Sequence, residues 1–308
     1  MLLKVNHVCA KGAFMLVASE KRTHLLRVGT KRVDGGCLFG AIPKERWETF
    51  ISPDRHNRVA FGNYCALFPG EQGWVLVDTG PGDNSPPKAD VMATRGRSSL
   101  LRDLRELEIN PKDVATVVLT HLHKEHAGGA THSTDAGRLV PTFSRAKYIV
   151  QEAAWNEAFH ADERNAHLYD ADQLRPLIET DQIEIINGQR EVAPGVWAIP
   201  APGPTDGHQI VLSEWAGEIT VFLGQLTPTT MHLAPQVVSA ADKSPENSIA
   251  SKAALLAQAV TEKWCVAPVG RDGWVPASDL SLLLGQQGIC SGEMAPATKR
   301  LMLASVAP

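Results

Sequence analysis

The sequence has no apolar run long enough to cross a membrane, and it holds 30 Lys and Arg against 34 Asp and Glu with no basic tract among them. These absences speak against a membrane partner and against a nucleic-acid partner. The opening MLLKVNHVCAKGAFMLVASEKR is broken by Lys4, His7, Lys11 and Gly12, so it lacks the continuous apolar region of a signal peptide. Cysteine is scarce: Cys9, Cys37, Cys65, Cys265 and Cys290 are odd in number and scattered, which suits neither a disulfide framework nor a zinc-knuckle spacing. A reducing, cytoplasmic setting is the natural expectation. Gly-x-Ser-x-Gly, Gly-x-Gly-x-x-Gly and Walker-type loops are also missing, which leaves serine-hydrolase and nucleotide-binding readings without support.

What is present is a chain of 308 residues, 44% hydrophobic, able to bury a large core. Trp74-Val-Leu-Val-Asp78-Thr79-Gly80 reads as a buried strand ending on an acid and a glycine, and Val114 to Thr120 as a second. Between them lies a Pro- and Gly-rich stretch, 81–96, and then Ser98 or Ser99 capping a helix with Leu100, Leu101, Leu104 and Leu107 on one face. Further strands are expected at Ala146–Gln151, Gln182–Ile186, Val196–Ile199, Gln209–Ser213, Ile219–Leu223 and Trp264–Val269. Helices are expected over Glu152–Phe159 and from about Pro245 to Val260, the latter capped by Asp242. No repeat or low-complexity segment marks a boundary. Strand-rich halves that each close with helical material favour two packed sheets with helices outside over a doubly wound parallel sheet. One domain over 1–308 is expected, with a helix-prone extension from about residue 277.

Directly after the second strand come His121-Leu-His123-Lys-Glu125-His126, three imidazoles and a carboxylate in six residues. Neutral imidazole and carboxylate are ligands that zinc and non-haem iron prefer. Histidines so close together are also found as surface or helix-cap residues. The strand immediately before them, and Gly128-Gly129 after them, which permit a close backbone turn, argue for the functional alternative.

Thr120 to Gly129 resembles the His-x-His-x-Asp-His motif of the metallo-β-lactamase superfamily, and Val77 to Gly80 resembles that superfamily's upstream strand-end acid. Gly35 to Pro43, Trp47, Asn57-Arg58, Pro141 to Phe143 and Ala201 to Gln209 are similar to its lactonase-like hydrolase branch. The similarity runs from about residue 30 to 272. It implies an αββα sandwich, two mixed β-sheets packed face to face with helices outside. It also implies two zinc ions, held by the first motif, a later histidine, a bridging aspartate and a final histidine. This chain departs from that set. Glu125 replaces the motif's aspartate, Pro204 stands at the later histidine, Gln225 at the bridging aspartate and Arg271 at the final histidine. By the same comparison His121 and His123 survive from the first zinc site, and Glu125 and His126 from the second.

A degenerate metal site follows. Gln225 carries no charge with which to bridge two dications, and Arg271 puts a permanent cation where an ion would sit. The resulting expectation is a hydrolase of a small ester, lactone or amide with at most one ion, zinc or iron, held by His121, His123 and His126. Glu125, His126, Arg271 and His208 are the candidate catalytic residues, and Gln225 and His232 the candidate substrate contacts. Asp78 is expected to orient the loop by hydrogen bonds. His208 and His232 also read as hydrogen-bonded structural histidines. Two alternatives stand beside the hydrolase: a metal-independent enzyme of cyclisation, elimination or isomerisation, and a ligand-binding pseudoenzyme. The partner in each case is a small molecule.

Overall fold

The computed structural model describes residues 21–82, 100–267 and 274–286; Arg271, the Ser98/Ser99 cap, Cys9, Cys290 and most of the 81–96 stretch lie outside these. The chain opens with β1 (His24–Asp34), β2 (Arg58–Phe68), β3 (Trp74–Val77) and β4 (Val114–Val118). A small hairpin, β5 (Thr131–Ser133) with β6 (Leu139–Pro141), precedes β7 (Lys147–Gln151) and β8 (Ile183–Ile186). Six of these strands form a mixed sheet in the order β1-β2-β3-β4-β7-β8, antiparallel as far as β3 and parallel from there on.

The second sheet is built from β9 (Arg190–Ala193), β10 (Val196–Pro200), β11 (Gln209–Trp215), β12 (Glu218–Phe222) and β13 (Cys265–Ala267). Its order is β13-β12-β11-β10-β9, antiparallel except for the parallel β12–β13 pair. Alternation along each strand separates two faces. Ala66, Phe68, Val75, Val77, Val118 and Ile149 of the first sheet meet Ala198, Val211 and Phe222 of the second in one buried cluster. The opposite face of the first sheet, with Leu67, Leu76, Val117 and Tyr148, is covered by helices through Leu100, Leu104, Ala154 and Leu177. Leu212, Val221 and Val266 on the outer face of the second sheet pack under Leu255, Leu256 and Ala259 of helix Pro245–Thr261. The order helix, sheet, sheet, helix is therefore an αββα sandwich.

Two local expectations are corrected. Helix Pro245–Thr261 is capped by Ser244, whose side chain accepts from the Asn247 amide. Asp242 instead accepts a hydrogen bond from Ser248 Oγ, with Lys252 Nζ close by and bonded to the Val237 carbonyl. The long strands β1 and β2, the core of the first sheet's antiparallel edge, were absent from the strand pattern read above. Among the described residues no helix is long and apolar enough to cross a membrane. The helix-prone stretch from 277 is helical over Ala277–Gln286.

Candidate active site

β3 and β4 run parallel, so their carboxyl ends bring Asp78 beside the Thr120–His126 turn. Asp78 has φ of 60°, a left-handed conformation that aspartate tolerates better than most residues and that turns its carboxylate under the loop. Oδ1 accepts from the Thr120 amide at 2.8 Å, and Oδ2 accepts from Thr120 Oγ1 at 2.9 Å and from His126 Nδ1 at 2.7 Å. Having donated to Asp78, the Thr120 hydroxyl accepts from His121 Nδ1 at 3.0 Å. One carboxylate thereby fixes two tautomers, with protons on both Nδ1 atoms and lone pairs on both Nε2 atoms. Thr79 strengthens the arrangement, its amide and hydroxyl both donating to the His126 carbonyl.

The imidazoles converge. Ring centroids of His121 lie 4.4 Å from His123, 4.3 Å from His126 and 5.4 Å from His208, and His123 also meets the Tyr169 ring edge-on at 4.9 Å. His121 Nε2 and His123 Nδ1 are buried without a hydrogen-bond partner. His126 Nε2 is engaged, with Gln225 Oε1 3.1 Å away and Lys31 Nζ donating at 2.9 Å. The same ammonium lies 3.6 Å from Glu125 Oε1, and Asn63 Nδ2 holds the Glu125 carbonyl at 2.8 Å.

Lys31 was not anticipated from sequence, and it is only 4% exposed. Its inward direction comes from a bulge in β1. Register against β2 shifts between Arg27 and Gly29. Leu26 is buried before the shift, Val28 within it, and Lys31 and Val33 after it, so the buried face changes from even to odd numbers. A strict alternation carried through from Leu26 would have pointed Lys31 to solvent.

Burial dominates the electrostatics. It drives His121 well below the usual histidine range, a displacement that the neighbouring histidines reinforce. It takes His123 down to about 4 against the pull of Glu125. Burial pushes the Glu125 carboxyl up, but Lys31, then His123 and His126, outweigh it and the group falls to about 2. Lys31 is lowered by burial, opposed by Glu125 and Asp78. His121 and His123 are thereby held as neutral imidazoles at neutral pH beside the Glu125 carboxylate, which Lys31 accompanies.

The structure places two of the candidate site residues, His208 and His232, in fully hydrogen-bonded surroundings. His208 is fully buried, its Nδ1 donating to the Ala201 carbonyl and its Nε2 accepting from the Gln225 amide, so neither nitrogen is open to a substrate. It positions Gln225 instead. His232 donates from Nε2 to the Leu38 carbonyl, bonds Thr229 Oγ1 through Nδ1 and stacks on Phe39. Arg271 lies outside the described residues. His121, His123, Glu125, His126, Gln225 and Asp78 are brought together.

Two ring nitrogens of the cluster stand without a partner among the described residues. The open atoms, His121 Nε2 and His123 Nδ1, belong to the pair that the family resemblance gives to the first zinc. The pair it gives to the second, Glu125 and His126, is engaged by Lys31. Among the described residues no group of three His, Cys, Asp or Glu side chains is arranged to hold a metal, whereas catalytic zinc usually has three protein ligands.

Residues 58–233 match the family described as the metallo-beta-lactamase superfamily, and the chain belongs to it. An N-acyl homoserine lactonase from Bacillus sp is 28% identical over 162 residues, an alignment spanning 49% of this chain and 58% of that protein. The match thus reaches little more than half the length of that relative. Among solved structures, a probable metal-dependent hydrolase from Staphylococcus aureus superposes with a TM-score of 0.76 at 26% identity, covering 83% of this chain and 92% of that one. AidC, a dizinc quorum-quenching lactonase in complex with a product, gives 0.66 at 17% identity over 82% and 93% of the two chains.

Proposed function

We propose that this chain is a hydrolase of a small ester, lactone or amide, lactones foremost, working with at most one metal ion. The observation that carries the reading is the Asp78-set cluster, which presents lone pairs of His121 and His123 and the Glu125 carboxylate at the carboxyl ends of β3 and β4. The lactonases among its relatives favour a cyclic ester as the substrate. In this reading a water molecule is oriented by the open imidazole nitrogens. Its oxygen forms a bond to the carbonyl carbon while its proton passes to an acceptor of the cluster, His123 or Glu125. The ring C–O bond then breaks, and the leaving oxygen takes that proton. Gln225 borders the cleft as a contact for the carbonyl, and Arg271 is retained as a candidate cation from sequence alone. Zinc or iron would meet two open donors, one fewer than a catalytic site usually supplies, and no step is assigned to it.

The test is turnover of N-acyl homoserine lactones, simple aryl esters and amides by untagged protein, with and without chelator and with zinc or iron added. Ring opening to the hydroxy acid is expected, falling at least about a hundredfold in His123→Ala. No turnover of any of these under every condition would dismiss the hydrolase; more than one ion per chain would dismiss the metal clause. The Lys31 ammonium favours a second reading, a metal-independent enzyme of cyclisation, elimination or isomerisation. Chelator-insensitive turnover with no water incorporated into the product would select it. Binding of a lactone without turnover would instead indicate a ligand-binding pseudoenzyme.

A further inference from the structure

We propose that the Lys31 ammonium is a resident cation that closes the second-metal position, so that this chain carries one fixed positive charge where a two-zinc arrangement has its second ion. The inference deepens the reading above and rests on the same cluster, but not on any particular substrate. Lys31 Nζ occupies both surviving donors of that position, His126 Nε2 at 2.9 Å and Glu125 Oε1 at 3.6 Å. Asp78 holds the His126 proton on Nδ1, so Nε2 offers a lone pair, and an ammonium satisfies it as a metal would. A zinc ion held by these two side chains would sit about 2 Å from the atoms that Lys31 already contacts. The ammonium and the ion cannot share that space, and their like charges repel strongly where water is excluded.

Lys31 has no easy retreat. Its backbone is fixed in the β1–β2 ladder opposite Phe61, its side chain is buried, and the bulge before it sets the inward direction. The contrast with the other half of the cluster is the second support. His121 Nε2 and His123 Nδ1 have no partner at all, whereas the second-site donors are taken. A cluster that had lost both ions without replacement would leave both halves open. Here only one half is open, and the charge of the Glu125 carboxylate is balanced within the chain.

Zinc stoichiometry decides the matter independently of activity. Wild-type protein, freed of tag and stripped with chelator, is titrated with zinc by calorimetry, and bound ion is measured by elemental analysis after dialysis. The wild type is expected to hold no more than one equivalent. Lys31→Met, which keeps the side-chain volume and loses the charge, returns His126 Nε2 and the Glu125 carboxylate to the two donors already open and is expected to hold more zinc than the wild type, whereas Lys31→Arg is expected to gain none. Circular dichroism and thermal melting establish that the variants fold. Cobalt substitution adds a spectroscopic readout, with visible absorption that strengthens in Lys31→Met alone. Two zinc equivalents on the wild type would overturn the proposal even if no variant folds. A folded Lys31→Met that gains no ion, or a Lys31→Arg that gains as much as Lys31→Met, would overturn it as well. Absent lactone turnover alongside the expected stoichiometry would count against the proposed hydrolysis and leave this inference standing.

Discussion

A single carboxylate organises the chemistry at the residue scale. Asp78 receives three hydrogen bonds, from the Thr120 amide, the Thr120 hydroxyl and His126 Nδ1, and through Thr120 it also sets the His121 tautomer. Replacing it with asparagine puts an amide N–H against the donors that Oδ2 now accepts. Asp78→Asn should cost about 3 kcal/mol in denaturant unfolding and lower turnover further than that loss explains. Unchanged stability would mean that the tautomers are set some other way. Asp78 was legible because an acid closing an apolar strand stands out in the chain. Lys31 was not, because a lysine in a strand ordinarily faces water and nothing beside it in the sequence advertises a bulge. His208 and His232 carried the opposite difficulty: their positions suggested chemistry, and only their backbone partners reveal that both rings are occupied by the fold.

The motif loop is held at the element scale by backbone contact with the segment that follows β3. A Cβ on Gly129 would lie 2.3 Å from the Thr79 carbonyl oxygen, and one on Gly128 equally close to that of Pro81. These are rigid main-chain atoms, and Thr79 is in turn bonded to the His126 carbonyl. Gly129→Ala should therefore destabilise the protein by about 2 kcal/mol and displace the loop, seen as lost turnover and altered zinc binding. Gly137→Ala is the control: at φ of 75° with nothing within 4 Å, it should cost only about 1 kcal/mol of backbone strain and leave the site intact. Equal effects from the two would refute the contact argument. β3, β4, β7 and β10 to β12 could be recognised from uninterrupted apolar runs bounded by turn residues. β1 and β2 could not, since Arg27, Lys31, Arg32 and Asn63 break the pattern for reasons that lie across the sheet.

Stability toward acid belongs to the whole molecule. Burial holds His208 and His232 down to about 3, so the folded chain keeps them neutral while the unfolded chain protonates them near 6.5. Their contribution is complete above about pH 6.5 and is lost as pH falls toward 3, at most about 2 kcal/mol each by pH 5. Asp242 works in the other direction: burial raises it to about 6, so it regains roughly 1 kcal/mol over the same interval. The histidines prevail, and the melting temperature should fall by roughly 5 °C or more between pH 7.5 and pH 5. A flat or rising profile in calorimetry would show that these rings are not kept neutral. The sandwich itself was readable from the strand-rich halves and from the residues around the motif. Pro204 and Gln225 could be read in the sequence at positions where the family resemblance implies metal ligands, but Lys31 beside His126 and Glu125 had to be seen. The β1 bulge gives this site an unusual kind of heredity. Removing the extra residue between Arg27 and Gly29 would restore plain alternation with Leu26 and Lys31 four steps apart, so Lys31 would keep its place opposite Phe61 and its buried face. A single-codon deletion at this point is thus absorbed by the irregularity itself, and the group that faces Glu125 and His126 is kept.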